Sequence, residues 1–276
     1  MIWPFAVRRS TRSVALVLAA ALVAAVGPVP AKSKKSVSEA PRTPTETYAA
    51  AMREILTGDF RSAQALLQAI QYVGEERPAL EPLVRLAIAD ATFYQGYATS
   101  SIDARSLYND FATLYSDHPG APYALFQSGM CSMAEMRHPT KDQLDTRQTI
   151  VDLTDVARRY PASPWAAAAK NMARIAEIRL AEHEFLIGKF YFGRKRPLAA
   201  IARFRTVLDT YPHYPERDQV YLYLGRALIQ SHNEVEARIY LDKLVRDYPE
   251  GRYTEEARRQ LARVGGELDL GVAQSP

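Results

Sequence analysis

From Thr45 onward, apolar residues recur every third or fourth position, the period of an amphipathic helix, and the runs are broken at intervals by proline set beside tyrosine. The breaks read Tyr115-Ser116-Asp117-His118-Pro119, Tyr160-Pro161, Tyr211-Pro212 and Tyr248-Pro249, their tyrosines 45, 51 and 37 residues apart. Such spacing varies about a repeat unit of about 34 residues carrying insertions, which predicts paired helices rather than one continuous bundle. Alternating runs joined by Asn-Gly or Asp-Gly, the mark of hairpins, do not occur, so the expected class is all-α.

The clearest unit ends at Pro212 and places Gly188, Tyr191, Ala200 and Phe204 at the offsets of a tetratricopeptide helix pair; the next ends at Pro249 with Tyr221, Leu224, Gly225, Ala237 and Leu241. Glycine on the first helix and alanine on the second remove side chains where two helices must approach, and the large residues fill the space left. Earlier units are looser. Gly58-Asp59-Phe60 with Ala63 and Leu67 reads as the turn and second helix of a first unit, Ala104 with Tyr108 marks a second, and Arg137 to Asp145 interrupts a third whose second helix runs through Ile150, Leu153 and Val156. The expectation is five helix pairs stacked as a superhelix over residues 45–264, N-terminal units at 45–160 and C-terminal units at 161–264, with a frayed tail at 265–276.

Charge enters the picture only once it is located. The sequence pI of about 9.1 and net charge of +4 invite a nucleic-acid reading. Arg8, Arg9 and Arg12 and the stretch Lys32 to Arg42 hold the excess, however, and from Pro44 onward 28 basic residues face 30 acidic ones. Helices with interspersed signs lack the Lys/Arg stripe that displaces counterions from a duplex, so no nucleic-acid partner is expected. The three arginines precede an uncharged run, Val14 to Val26, and a small, Pro-rich stretch ending at Ala31. That order is a secretory signal peptide over 1–31, cut after Ala31; the run is short of the roughly 20 residues that span a bilayer. Residues 32–44 read as a disordered linker. Cys131 is the one cysteine, which excludes an intrachain disulfide and places no lipid-acceptor cysteine near the cut.

Several stretches go beyond a repeat consensus. Leu114-Tyr115-Ser116-Asp117-His118-Pro119 followed by Pro122-Tyr123-Ala124-Leu125-Phe126, Arg159-Tyr160-Pro161-Ala162-Ser163-Pro164-Trp165, and the block from Leu180-Ala181-Glu182-His183-Glu184-Phe185 through Lys189-Phe190-Tyr191 to Ala199-Ala200-Ile201-Ala202-Arg203-Phe204 resemble the BamD family, also called YfiO or ComL. The resemblance covers roughly Thr45 to Leu261. It implies a non-enzymatic, tetratricopeptide-like scaffold at the periplasmic face of the outer membrane. Its C-terminal repeats would bind the POTRA region of BamA beside other BAM subunits, and its N-terminal repeats would receive unfolded outer-membrane proteins. Arg203, in the block that lies near BamA in the family, becomes the expected BamA contact, against the plainer reading of a solvated surface residue. Phe93, Tyr94, Tyr97 and Tyr123 become the expected substrate groove, because aromatic-lined grooves hold aromatic strand signals at low entropic cost; the competing reading is that these rings fill the repeat core. Where the family carries a lipobox cysteine this sequence has Val26-Gly27-Pro28-Val29, so docking by a partner or retention of the N-terminal segment would hold it at the membrane. The last two units also resemble periplasmic adaptors that coordinate cell-wall synthesis with envelope constriction.

No catalytic, cofactor or metal constellation is expected. His183-Glu184 opens like a zinc-protease helix, but Ile187 stands where the second ligand belongs. Met130, Cys131, Met133 and Met136 offer soft ligands for copper(I), yet such residues more commonly serve as adaptable core packing. Glu182 and Glu184 flank His183 but occupy helical positions that point in different directions.

Overall fold

The structure is a computed structural model that describes residues 43–272 apart from 73 and 98, with backbone alone beyond residue 265. The expected signal peptide, residues 32–42 of the expected linker and the last four residues of the chain lie outside the described residues. Eleven helices make up the described chain: α1 (Pro44–Thr57), α2 (Phe60–Gln68), α3 (Arg77–Gln95), α4 (Ser100–Leu114), α5 (Ala121–Ala134), α6 (Leu144–Arg159), α7 (Pro164–Gly193), α8 (Pro197–Thr210), α9 (Arg217–Gln230), α10 (Glu234–Asp247) and α11 (Thr254–Val272). A single 3-10 turn, Gly74–Glu76, precedes α3.

The tyrosines that punctuate the sequence turn out to be helix terminators. Tyr115, Tyr160, Tyr211 and Tyr248 close α4, α6, α8 and α10 with φ between −120° and −133° and ψ between 48° and 72°. Three of them precede proline, whose ring forces the residue before it out of the α region. Each still donates its N–H to the carbonyl four residues back, and each carbonyl accepts from the N–H three residues on, at 3.0–3.1 Å, so one turn repeats between units. The opposite ends are capped by short polar side chains: Thr43 and Glu46 form a reciprocal capping box on α1, Asp59 caps α2, Ser163 caps α7 and Asn233 caps α10.

The turn inside three of the helix pairs repeats as well. Gly58, Lys195 and His232 each adopt positive φ (87°, 55° and 59°), and the next N–H reaches back to close the turn on Glu54, Tyr191 and Leu228. Glycine takes this conformation without penalty, whereas a side chain there costs about 1 kcal/mol. His232→Gly is therefore expected to stabilise the chain by about 0.5–1 kcal/mol, seen as a higher urea midpoint at unchanged slope.

Packing divides the described chain into two compact units that part after Cys131, residues 43–131 and 132–272. The first holds α1 to α4 and α5 through Cys131, with a core built on Tyr48, Ala51, Leu67, Leu80 and Val84. The second holds α6 to α11. Its centre joins Phe185, Phe204, Tyr214 and Leu224, and a further cluster gathers Tyr221, Leu241, Leu244 and Ala257. The close approaches expected from the repeat are present: a Cβ on Gly188 would lie 2.5 Å from the Phe204 ring, and one on Gly225 would lie 2.6 Å from Leu241. The segment between α5 and α6 belongs with the second unit. Arg179 Nη1 donates to the Arg137 carbonyl at 2.8 Å and His183 Nδ1–H to the Pro139 carbonyl at 2.5 Å, tying that segment to α7. Buried Gln143 gathers the carbonyls of His138, Lys141 and Asp142. Two expected edges also shift. Thr43 and Pro44 cap and begin α1 rather than ending a linker, and α11 continues through Gly265 and Gly266 to Val272, since glycine in a helix costs only about 1 kcal/mol relative to alanine.

Candidate functional site

In the first unit, α3 and the turn after it carry three of the four expected groove aromatics. Phe93 and Tyr94 are half-buried near the helix end, their rings edge to face at 5.2 Å, and Tyr94 stacks on Phe60 at 5.5 Å. Gly96 turns the chain at φ 72°, and Tyr97 beyond it is 52% exposed, its hydroxyl accepting from Arg61, whose guanidinium also lies 5.8 Å from the ring centre. Tyr123 is placed differently. At 3% exposure it belongs to the core, edge to face with Tyr108, which is the competing reading given above.

Tyr123 takes part there in a buried hydrogen-bond network. Its hydroxyl donates to Asp90 Oδ1 at 2.8 Å, the Tyr108 hydroxyl donates to the same oxygen at 2.6 Å, and Gln127 Nε2 donates to the Tyr123 hydroxyl at 2.9 Å. Burial pushes the Asp90 carboxyl up to about 6, against the two tyrosine hydrogen bonds that favour its anion. The same burial, with Asp90 adding to it, pushes Tyr48 up to about 12 and holds Tyr108 and Tyr123 far above the ordinary phenol. A signal for this network existed in the sequence: Asp90 is the lone charge in Leu86-Ala87-Ile88-Ala89-Asp90-Ala91.

In the second unit, Arg203 of α8 is 43% exposed and donates from Nη1 to Glu184 Oε2 on α7 at 2.8 Å. This intrachain pair aims the guanidinium while leaving its remaining N–H groups without a partner among the described residues. The flanking side chains of α7 are spoken for. Glu182 accepts from the Tyr214 hydroxyl at 2.6 Å and His183 holds the Pro139 carbonyl, so Glu182, His183 and Glu184 serve three different neighbours. Nearby, Leu198 is 74% exposed and Val235, 37 residues on at the matching place in the next unit, is 68% exposed. Arg205 of α8 and Glu236 of α10 form an ion pair beside them. Of the Met/Cys group, Met130 and Cys131 are buried. Among the described residues no three His, Cys, Asp or Glu side chains are grouped to hold a metal, and no helix is long and apolar enough to cross a membrane.

The family profile described as outer membrane lipoprotein, YfiO, matches residues 41–228, and a tetratricopeptide repeat profile matches 219–251. The chain belongs to the YfiO/BamD family. Relatives named outer membrane protein assembly factor BamD include that of Caulobacter vibrioides, 34% identical over 109 residues, covering 38% of this chain and 36% of the relative. The Rickettsia prowazekii protein is 26% identical over 68% of this chain and 73% of its own length, and the Haemophilus influenzae protein 27% identical over 82% and 84%. Among solved structures, the assembly chaperone of RpL4 overlays 84% of this chain and 100% of its own at a TM-score of 0.29 and 14% identity, too distant to carry an argument. The YfiO/BamD profile spans both candidate sites, the aromatic end of α3 and the Arg203 pair on α8.

Proposed function

We propose that this chain is a non-enzymatic assembly factor for outer-membrane β-barrel proteins, working at the inner face of the outer membrane by binding BamA and unfolded barrel chains. The observation that carries this reading is the family match over residues 41–228, joined by relatives that bear the assembly-factor name across most of their length. The geometry supports a division of labour. Arg203, aimed by Glu184 and partly exposed, offers a guanidinium of the kind that seats a partner carboxylate. In the first unit, Phe93, Tyr94 and Tyr97 form an aromatic edge, half-buried to exposed, suited to strand aromatics. Tyr123 contributes from beneath, by holding Asp90.

Affinity purification of the tagged chain from detergent-solubilised envelopes tests it. BamA is expected among the recovered proteins, with recovery falling at least about tenfold for Arg203→Glu, because a carboxylate at that position repels both Glu184 and a partner carboxylate. Arg203→Glu is expected to leave the circular dichroism and melting curve within about 1 kcal/mol of wild type, the pair being partly exposed. Recovery of cell-wall enzymes without BamA would replace this reading with that of a periplasmic adaptor.

A further inference from the structure

Gly188 and Gly225 hold the same place in consecutive units, 37 residues apart, and the residue after each is a cation, Lys189 on α7 and Arg226 on α9. A further 37 residues on, the same register falls on Arg263 of α11, which is exposed. Lys189 and Arg226 share one ring. Lys189 Nζ lies 5.4 Å and the Arg226 guanidinium carbon 5.6 Å from the centre of Tyr223. Lys189 also lies 5.4 Å from the centre of the Phe185 ring, and Arg226 5.2 Å from that of Phe192. Phe185 and Phe192 in turn meet Tyr223 edge to face, their ring centres 5.6 and 5.7 Å from its own. Two positive charges are thereby gathered on one aromatic floor.

Neither charge is balanced from within the described residues. No described Asp or Glu forms an ion pair with Lys189 or Arg226, whereas Arg85, Arg205 and Arg259 each hold a glutamate. The helices themselves offer no partner, because the positions three and four residues to either side of each cation are uncharged. Glu256 of α11 comes within electrostatic reach of Arg226, yet its oxygens accept from Arg259 and Gln260. Both side chains are half-buried, and none of their nitrogens is sealed from solvent or hydrogen-bonded among the described residues. The stems are thus set against the rings while the charged ends stay open to a ligand. Two cations on one ring also repel each other, and an anion seated against both relieves that repulsion.

We propose that the Lys189–Arg226 face, floored by Tyr223, binds carboxylates carried by a segment of another polypeptide. Arginine offers a carboxylate two parallel N–H donors and lysine a compact charge, while the rings beside them take the apolar stem of the bound residue. A polyanion fits the domain less well. From Pro44 onward 28 basic residues face 30 acidic ones, so a duplex or an anionic bilayer would meet as many acids as bases, whereas a segment with one or two carboxylates needs only this pair. The 37-residue register sets the cations on successive units, a row along which an extended segment can lie. This goes beyond the Arg203 contact, which stands on α8, and the outcome of the Arg203→Glu purification does not bear on it.

The test titrates the full chain at pH 7.5 with the end-blocked peptide Gly-Glu-Gly-Glu-Gly and with its neutral counterpart Gly-Gln-Gly-Gln-Gly, following the Tyr223 ring resonance of ¹³C-labelled tyrosine by NMR. The expected result is a saturable Tyr223 shift with the glutamate peptide, at a Kd about tenfold or more below that of the glutamine peptide. The preference is expected to shrink in Lys189→Gln and in Arg226→Gln and to vanish in the double variant. Lys170→Gln, which removes an exposed cation elsewhere on α7, is expected to leave it unchanged. The glutamine peptide with a free C-terminal carboxylate separates the two sources of the group: tighter binding than its blocked form assigns the face to chain ends, and a preference for glutamate assigns it to acidic side chains, either of which sustains the proposal. Equal response to all three peptides, or a preference that survives the double variant, overturns it. Binding to phosphatidylglycerol vesicles that the double variant abolishes, with no preference among the peptides, overturns it in favour of a lipid surface. The wild-type comparison decides the matter even where a variant fails to fold.

Discussion

Phe204→Ala is expected to destabilise the second unit by about 3–5 kcal/mol, the largest loss from any single truncation in that unit's centre. Phe204 is wholly buried, with its ring centroid 5.7 Å from that of Phe185 and 6.0 Å from that of Tyr223. Its ring also fills the space above Gly188, where a Cβ would meet three ring atoms at 2.5, 2.8 and 3.0 Å. Gly188→Ala in the wild-type chain should therefore cost about 1–3 kcal/mol from overpacking, less about 1 kcal/mol returned by helix propensity. In the Phe204→Ala background the clash is gone and the added methyl enters the vacated space, so the same substitution should become stabilising by about 1 kcal/mol. Hydrogen exchange of α7 to α9 amides in the four chains measures the coupling. Equal effects of Gly188→Ala in both backgrounds would show that the helices relax apart instead of meeting through this glycine.

That pairing was readable in the sequence because it belongs to the repeat. Gly188 with Phe204 and Gly225 with Leu241 obey one rule twice, and the tyrosine–proline breaks mark helix ends whose backbone the proline ring constrains locally. What escaped was set by contacts between helices far apart in sequence. Tyr123 looked like a groove aromatic because tyrosine fills cores and lines grooves alike; only the meeting of α3 with α5 shows that its hydroxyl serves Asp90. The tie of the α5–α6 segment to α7 is hidden for a similar reason, since it rests on Arg179 and His183 holding carbonyls 42 and 44 residues earlier. Arg203 is indicated by resemblance alone, and the structure adds its Glu184 partner, which no spacing rule indicates because the two stand on different helices.

The second large effect concerns pH. The Asp90 carboxyl sits at about 6 in the folded chain against its usual 3.8, so between these values the folded state binds a proton that the unfolded state has released. Stability attributable to Asp90 is therefore present in acid and lost as pH rises from about 4 to about 6, the reverse of a salt-bridged carboxylate. The full difference, a little over two pH units at about 1.4 kcal/mol each, is about 3 kcal/mol. Asp90→Asn removes the titration while keeping an oxygen for the Tyr108 and Tyr123 hydroxyls. Relative to wild type, Asp90→Asn is expected to be about 3 kcal/mol better off at pH 7.5 than at pH 4, a change read from the exchange of α3 to α5 amides at the two pH values after correction for intrinsic rates. A gap between the two chains that does not move with pH would mean that water reaches the carboxylate freely and that burial does not set its affinity for the proton. Should the gap move as expected, the first unit carries at neutral pH an anion whose burial cost the Tyr108 and Tyr123 hydrogen bonds offset only in part.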